Sequence, residues 1–350
     1  MKIALLAHAP EDQLSGGIKT VIRHLQSTFP QLEIFPKVSK PEKFRKRLPW
    51  FLNWWINGFI FQKEFLQAHR TKRFDLLFVY PFGSAAMRPR AIDIPIINIY
   101  FGCFPEFLKH ITTAKKSFRL QAWVTGWLDK RSGKGKHCMT ISEPVRKQIK
   151  KRYGHDCHVI PVGVDVSLFQ PQNKKEARGQ LQWDADIPTG LFIGRAEFAK
   201  GWDILLQTAK DLPHITFVCV ADTAAVENVK NIHILKNISR EEMILWHNAA
   251  DFFIFPSRYE SAALVVLEAM ACNLPVVISQ PVADVCIDEK KILKGVYIVA
   301  GEEPEKYRLA IEACLEQQHR AETRDYVIQN RSLEHFKQNF RDWTATLLKK

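Results

Sequence analysis

Short apolar runs alternate with longer helical patterns along almost the whole chain. No other feature constrains the fold as much. Parallel strands need crossover connections, and a sheet wound in this way carries helices on both faces. In the first half the strand-like runs are 2–7, 32–35, 76–79, 94–99 and 138–141, with a further strand and turn starting at His158. In the second half they are 189–193, 215–220, 232–235, 252–255, 276–278 and 296–299. Helices are expected over about 17–28, over 143–153 with Ser142 as N-cap and Gly154 as stop, from Leu264 onward, and over 303–317 and 321–350. A chain of 350 residues can hold two cores, and the polar, proline-marked stretch 169–175 marks a boundary between them. The class is α/β with parallel sheets.

The residues able to do chemistry sit at strand ends. The run 252–255 stops just before Pro256-Ser-Arg-Tyr-Glu260, and Glu268 lies further on in the following helical pattern. Open α/β sheets bind ligands at their carboxyl edge, where helix amino termini offer N–H groups to anions. Two carboxylates there suit a ligand with both a phosphate and sugar hydroxyls. Gly194-Arg195 closes the run 189–193, and Lys200-Gly201 follows on the same loop. A guanidinium and an ammonium so placed can clamp a diphosphate; alone they are two cations in a surface loop. Ser15-Gly16-Gly17 opens the first helix, as fits a nearby phosphate or sugar, or an ordinary tight turn. The dinucleotide fingerprint and the Walker sequence are absent.

Charge is divided unevenly. The net charge is +13. Residues 1–170 hold 28 Lys+Arg against 12 Asp+Glu, and residues 171–350 hold 22 against 25. An anionic partner is therefore expected for the first half alone. Lys43, Arg45, Lys46 and Arg47 precede the apolar stretch 48–61, which contains Trp50, Trp54 and Trp55. At ~1.5 Å per residue such a helix is too short to span a bilayer but fits one lying in its interface. A core helix behind a solvated basic loop is the plain alternative. Lys115, Lys116, Arg119, Lys130, Arg131, Lys134 and Lys136 form a second basic region in the same half. No run of ~20 apolar residues and no signal-peptide pattern is present. The seven cysteines are scattered without paired spacing, as buried thiols in a reducing compartment would be. No nucleic-acid-binding signature is found.

Glu260-x7-Glu268 with Ala269-Met-Ala, Gly194-Arg195 with Lys200-Gly201, and Ser142-Glu-Pro-Val-Arg leading to Val162-Gly-Val-Asp-Val-Ser-Leu-Phe together resemble the retaining GT-B glycosyltransferases of the family 4 type. The resemblance implies two Rossmann-like domains with parallel sheets facing across a cleft. Residues 1–168 would bind the acceptor and 169–331 the nucleotide-sugar donor, and a helix over 332–350 would cross back to the first domain. It further implies that Arg195 and Lys200 hold the donor diphosphate and that Glu260 lies at the donor sugar, these three forming the catalytic set. Glu268 would take the ribose. Gly194, Ser261, Ala262, Ala263 and Leu264 would line the donor, with Gly16 and Gly17 approaching from the other domain. No metal and no cofactor beyond the donor itself would be needed.

Departures from the family pattern are Ala263 where glycine or proline is usual, Asn273 where glycine is usual, Val162-Gly163 for Asn-Gly, and the absence of a histidine in 99–104, where Tyr100 can fill the space. The expected function is transfer of a hexose from a UDP- or GDP-linked sugar to a saccharide, lipid-linked acceptor in polysaccharide or lipopolysaccharide assembly. The enzyme would sit in the cytoplasm, peripherally on the inner face of an anionic membrane, with Lys43 to Arg47 and the three tryptophans facing it. A non-catalytic nucleotide-sugar-binding homologue, and a transferase acting on a soluble small acceptor, stay open.

Overall fold

The computed structural model describes residues 1–7, 16–36, 50–80, 83–110, 116–222, 229–287, 292–317 and 320–349, with 16, 50–55, 83, 90, 116–119 and 121 described by backbone alone. The chain divides into two units. The first runs to Pro161 and takes back Phe336–Lys350; the second is built from Val162–His335.

The first unit is a six-stranded sheet of order β2-β1-β3-β4-β5-β6. Its strands are β1 (Ile3–Leu6), β2 (Glu33–Phe35), β3 (Leu76–Val79), β4 (Ile96–Tyr100), β5 (His137–Thr140) and β6 (His158–Val159). Every pairing is parallel. The register of β1 on β3 sets Ile3 opposite Leu76 and Leu6 opposite Val79. These strands are buried along their length, as expected where helices cover both faces.

The second unit repeats the plan with the order β12-β11-β10-β7-β8-β9. Its strands are β7 (Thr189–Ile193), β8 (Thr216–Val220), β9 (Ile232–Leu235), β10 (Phe252–Phe255), β11 (Val276–Ser279) and β12 (Val296–Val299). All of them are again parallel. All seven cysteines are buried.

Three sequence expectations change. The division falls at Pro161, earlier than 168. Val164 is the reason: its N–H donates to Arg331 O (2.8 Å), and its carbonyl accepts from Leu333 N (2.8 Å). Arg324 then donates to Val166 O and Phe169 O, both at 2.7 Å, tying the incoming segment to the second unit. Gly163 is needed at this crossing, because a Cβ there would lie 2.5 Å from Ser332 O.

The helical run 321–350 holds two helices, Arg324–Arg331 and Leu333–Leu348, the second being the final helix expected over 332–350, and they part at an extended Ser332 whose backbone neighbours serve that pairing. The second of them returns to the first unit, where Phe336 and Phe340 pack on His24, Phe29 and Phe78.

The apolar stretch 48–61 is the start of a longer helix, Trp50–Lys72. Residues 62–72 are mostly good helix formers, and Phe61 and Phe65 are buried one turn apart in the core with Phe35 and Phe74. The far end of this helix is therefore a core element, although Ile56 and Phe59 stay exposed. Lys43, Arg45, Lys46 and Arg47 lie outside the described residues, as do the side chains of Trp50, Trp54 and Trp55. Ser142 is the N-cap residue of the helix Glu143–Tyr153, but its hydroxyl makes no capping bond.

Tyr100 belongs to the core. Fully buried, it donates its hydroxyl to Asp129 O (2.6 Å). Asp129 lies on the helix Lys116–Ser132 and accepts from Tyr153 Oη at Oδ2 (3.1 Å). Burial pushes the Asp129 carboxyl up to about 8, against the Tyr153 hydrogen bond. A carboxyl raised in the folded state gives stability that is full below its unfolded pKa of ~4 and is lost as pH rises through the folded value. Glu268, raised by burial to about 7, adds to the fall up to that pH, and His247, depressed by burial to about 3, opposes it below ~6.5. Urea midpoints are therefore expected to fall between pH 6.5 and 8, and Asp129→Asn should flatten that fall. An unchanged slope in the variant would show that Asp129 does not hold a proton in the folded protein.

Candidate active site

In the second sheet the chain runs outward from β7 to β8 and β9, then returns to place β10 on the other side of β7. Between β7 and β10 the winding reverses. Connections leave the two carboxyl ends in opposite directions, which opens a crevice suited to a ligand. The loop after β7 carries Arg195 and Lys200, and the loop after β10 carries Glu260.

The two loops are joined at several points. Lys200 Nζ forms an ion pair with Glu260 Oε1, with the two side chains 18% and 9% exposed. Buried Ser257 donates its hydroxyl toward the same Glu260 oxygen (2.9 Å), and lies 3.0 Å from Ala199 O. Lys200 Nζ also sits 5.7 Å from the centroid of the Phe255 ring, which covers it from below. Gly201 follows with φ +69°, and a Cβ there would lie 2.1 Å from Pro256 O, so only glycine lets the loops approach this closely.

Arg258 holds the arrangement from behind. Its Nη1 donates to Phe198 O (2.7 Å), and its two terminal nitrogens grip Asp203 at 2.7 and 2.8 Å. Its Nε donates to Glu302 (2.7 Å), and its backbone N–H donates to Ala199 O (2.9 Å). The guanidinium lies 3.6 Å from the centroid of the Phe198 ring. One side chain thus fixes the short helical turn Phe198–Lys200 to the β10 loop. Sequence reasoning passed over Arg258, Ser257 and Asp203. Their neighbourhood was visible, but a pairing between positions 203 and 258 is set by the sheet order, which the sequence does not state.

The other expected site residues fall in different surroundings. Arg195 is exposed, and its Nη1 bonds Glu197 (2.8 Å); it shares the loop but not the Lys200–Glu260 pair. The Gly194 N–H is committed to the sheet, donating to Val220 O (3.1 Å), so a ligand can meet only the chain beyond it. Ser261 and Ala262 lead to Ala263, the N-cap of the helix Leu264–Ala271, which has no side-chain cap. Ala263 has φ +45° and Asn273 φ +54°. Glycine is expected at Asn273, and glycine or proline at Ala263; the left-handed backbone is the physical reason for glycine. Asn273 also accepts at Oδ1 from Thr323 N (3.2 Å) and Arg324 N (2.8 Å), work a glycine cannot do.

Glu268 lies inside the helix Leu264–Ala271, part-buried. Desolvation pushes its carboxyl up to about 7, opposed by the positive charge of Arg240. Gly16 and Gly17 start the helix Gly16–Thr28 in the first unit, and Gly17 has open space where a Cβ would stand. Among the described residues no group of three His, Cys, Asp or Glu is placed to hold a metal ion.

Residues 173–333 match the model for glycosyl transferases group 1, and residues 16–168 match that for Glycosyltransferase Family 4. The chain belongs to the glycosyltransferases. Its two parallel sheets are those of the GT-B fold. It is 32% identical to a D-inositol 3-phosphate glycosyltransferase of Xylanimonas cellulosilytica, across 37% of each chain. It is 25% identical to the putative teichuronic acid biosynthesis glycosyltransferase TuaC of Bacillus subtilis, across 56% of this chain and 49% of that one. The match thus spans less than half the length of either of these relatives. The Anabaena glycosyltransferase-like structure HepE, solved with UDP and glucose, superposes with a TM-score of 0.71 at 16% identity over 99% of both chains.

Removing the Arg258 clamp in this glycosyltransferase should loosen both loops together. Arg258→Met is expected to lower stability by about 2 kcal/mol, because the Phe198 carbonyl loses its donor and the Asp203 and Glu302 carboxylates lose their partner. Arg258→Lys should not restore it, since an ammonium cannot form the fork to Asp203. Chemical denaturation of both variants reads this directly, and a lysine variant as stable as the wild type would contradict the clamp.

Proposed function

We propose that the chain transfers a hexose from a UDP- or GDP-linked sugar to a saccharide hydroxyl with retention of configuration, on a lipid-linked acceptor in polysaccharide or lipopolysaccharide assembly. The observation that carries this reading is the Lys200–Glu260 pair at the winding reversal of the second sheet, with Arg195 on the same loop. In the absence of ligand the lysine and glutamate neutralise one another. A diphosphate entering beside them competes for Lys200 and draws in Arg195, and Glu260 is freed to accept hydrogen bonds from sugar hydroxyls.

As the bond from the anomeric carbon to the diphosphate breaks, negative charge grows on the leaving phosphate beside two cations. Positive charge grows on the sugar near a carboxylate. Lys200 and Glu260 are already in place and Arg195 is drawn in from the same loop, so the two cations supply the electrophilic assistance and no metal ion is called for. The backbone N–H groups of Ser261, Ala262, Ala263 and Leu264, at an uncapped helix start, suit the phosphate or sugar oxygens. In this reading Glu268 takes the ribose. The bound UDP and glucose of HepE support a nucleotide-sugar donor. TuaC, by its name, supports a polymer pathway.

A transferase acting on a soluble small acceptor is the second reading, favoured by the resemblance to a D-inositol 3-phosphate glycosyltransferase. The basic first half, joined to an anionic membrane surface on the cytoplasmic side, favours the first.

Glu260→Ala and Arg195→Ala should each lower kcat/KM for donor hydrolysis or transfer by about 100-fold, the scale of losing one preorganised electrostatic group. Wild-type rates in both variants would remove these residues from the site. Glu268 gives an independent check. Ribose hydroxyls donating to the carboxylate favour its charged form. Nucleoside diphosphate binding near pH 7 should therefore release a proton, seen as a dependence of the calorimetric heat on buffer ionisation enthalpy. Glu268→Gln should abolish that dependence, and no dependence in the wild type would place the ribose elsewhere.

A further inference from the structure

The helix Lys116–Ser132 is turned inside out. Its buried face holds Thr125, Asp129 and Ser132 beside a single leucine, Leu128. These polar groups are satisfied inside: Thr125 donates to Ala122 O, Ser132 donates to Asp129 O, and Tyr100 and Tyr153 donate to Asp129. Its outer face holds Leu120, Trp123 and Trp127, which are 65%, 70% and 48% exposed. At ~100° per residue these three fall within about 60° of arc, opposite the buried side. An ordinary surface helix does the reverse, burying its apolar stripe and wetting its polar one. Packing within the chain gives no reason to put two tryptophans in water.

Cations continue the same face. Arg131 is exposed and sits 5.8 Å from the centroid of the Trp127 ring, with its Nε donating to Ala85 O. Lys130 and Lys134 are exposed at the same end. The helix Trp50–Lys72 packs against the same 83–86 turn and leaves Ile56 and Phe59 exposed. No helix among the described residues is long and apolar enough to cross a membrane, so this chemistry is that of an element lying in an interface. Tryptophan and leucine enter the boundary of the acyl chains, and arginine and lysine meet the head groups. The strong positive charge of the first half excludes a second copy as the natural occupant, because two such faces repel, and it selects an anionic surface.

We propose that the Leu120–Trp123–Trp127 face, with Lys130, Arg131 and Lys134, docks the protein on an anionic lipid bilayer. This surface replaces the 43–55 segment as the principal membrane contact. The inference deepens the membrane-associated reading above and rests on it, but it concerns lipid binding alone, so it can fail while sugar transfer stands.

The test is co-sedimentation of the full chain with phosphatidylcholine vesicles, with and without about a third of phosphatidylglycerol, a fraction that gives a strongly negative surface. Wild type should bind the anionic vesicles and be released by salt. Trp123→Gln/Trp127→Gln should bind at least about tenfold more weakly, since binding scales with the apolar area inserted. Lys130→Glu/Lys134→Glu should lose the preference for phosphatidylglycerol. Brominated lipids should quench wild-type tryptophan fluorescence, and the quenching should fall in the Trp123→Phe/Trp127→Phe protein, which keeps an apolar face. Binding unchanged in the glutamine variant, or abolished only by Trp50→Ala/Trp54→Ala/Trp55→Ala, would overturn the proposal. So would concentration-dependent dimerisation without lipid that the glutamine variant removes. Thermal stabilisation by UDP, measured on the same proteins, should be unaffected by the glutamine changes. If wild type shows none, the donor reading fails while the vesicle result still stands.

Discussion

Lys200 and Glu260 come from loops on either side of a reversal in sheet winding, and their ion pair joins the two loops. Both are mostly removed from water, and each is the other's ionic partner. A buried pair of this kind is poor evidence for stability, because the desolvation of two charges roughly offsets their attraction. It is better understood as a site held ready. A diphosphate can replace the carboxylate as partner of the lysine, and sugar hydroxyls can replace the lysine as partners of the carboxylate. Neither charge need ever stand alone. The surroundings keep the geometry through this exchange: Ser257 from below, the Phe255 ring under the ammonium, and the Arg258 fork across both loops.

Much of the fold was legible in the chain because its strands are continuous apolar runs. β3, β7, β9, β10 and β12 fall where the periodicity put them, to the residue. Parallel strands buried on both faces carry that signal in every position. What was illegible lay where pairing crosses long distances. Val164 looks like part of the first half until its hydrogen bonds to Arg331 and Leu333 are known. Ser332 looks helical because nothing local stops a helix there; the break is imposed by Val164. Tyr100 could fill the space of the missing histidine because it ends a strand at the carboxyl edge, yet its hydroxyl turns inward to Asp129.

The site residues divide in the same way. Glu260, Lys200, Arg195 and Glu268 could be picked out because a charged residue at a strand end or an early helical turn has no packing reason to be there. Arg258 and Asp203 have the same character, but their pairing needs the sheet order. Ala263 and Asn273 show the converse. The left-handed backbone favours glycine at both, and this chain tolerates alanine and asparagine by other means. Asn273 offsets its strain by capping the helix Arg324–Arg331 through two backbone N–H groups. Ala263 has no such bond. Its strain is carried by a short helix whose interior residues Val266, Leu267, Ala269 and Met270 are almost wholly buried.

Asp129 and the outer face of its helix are two sides of one constraint. Burying a carboxyl deep under a helix is tolerable only if it is protonated or well bonded, and Asp129 is raised toward neutrality and bonded to Tyr153. That polar interior leaves little room for apolar side chains on the inward side, and among the described side chains of the helix Leu128 is the fully buried apolar one. The remaining large apolar residues have only the outer face, where water makes them unfavourable. A sequence free of outside demands would exchange the two faces and gain on both. That it has not done so argues that the outer tryptophans answer to a surface other than water. The charge distribution of the chain fits an anionic one: the excess of cations is confined to the half that carries the helix, while the half that carries Lys200 and Glu260 is close to neutral.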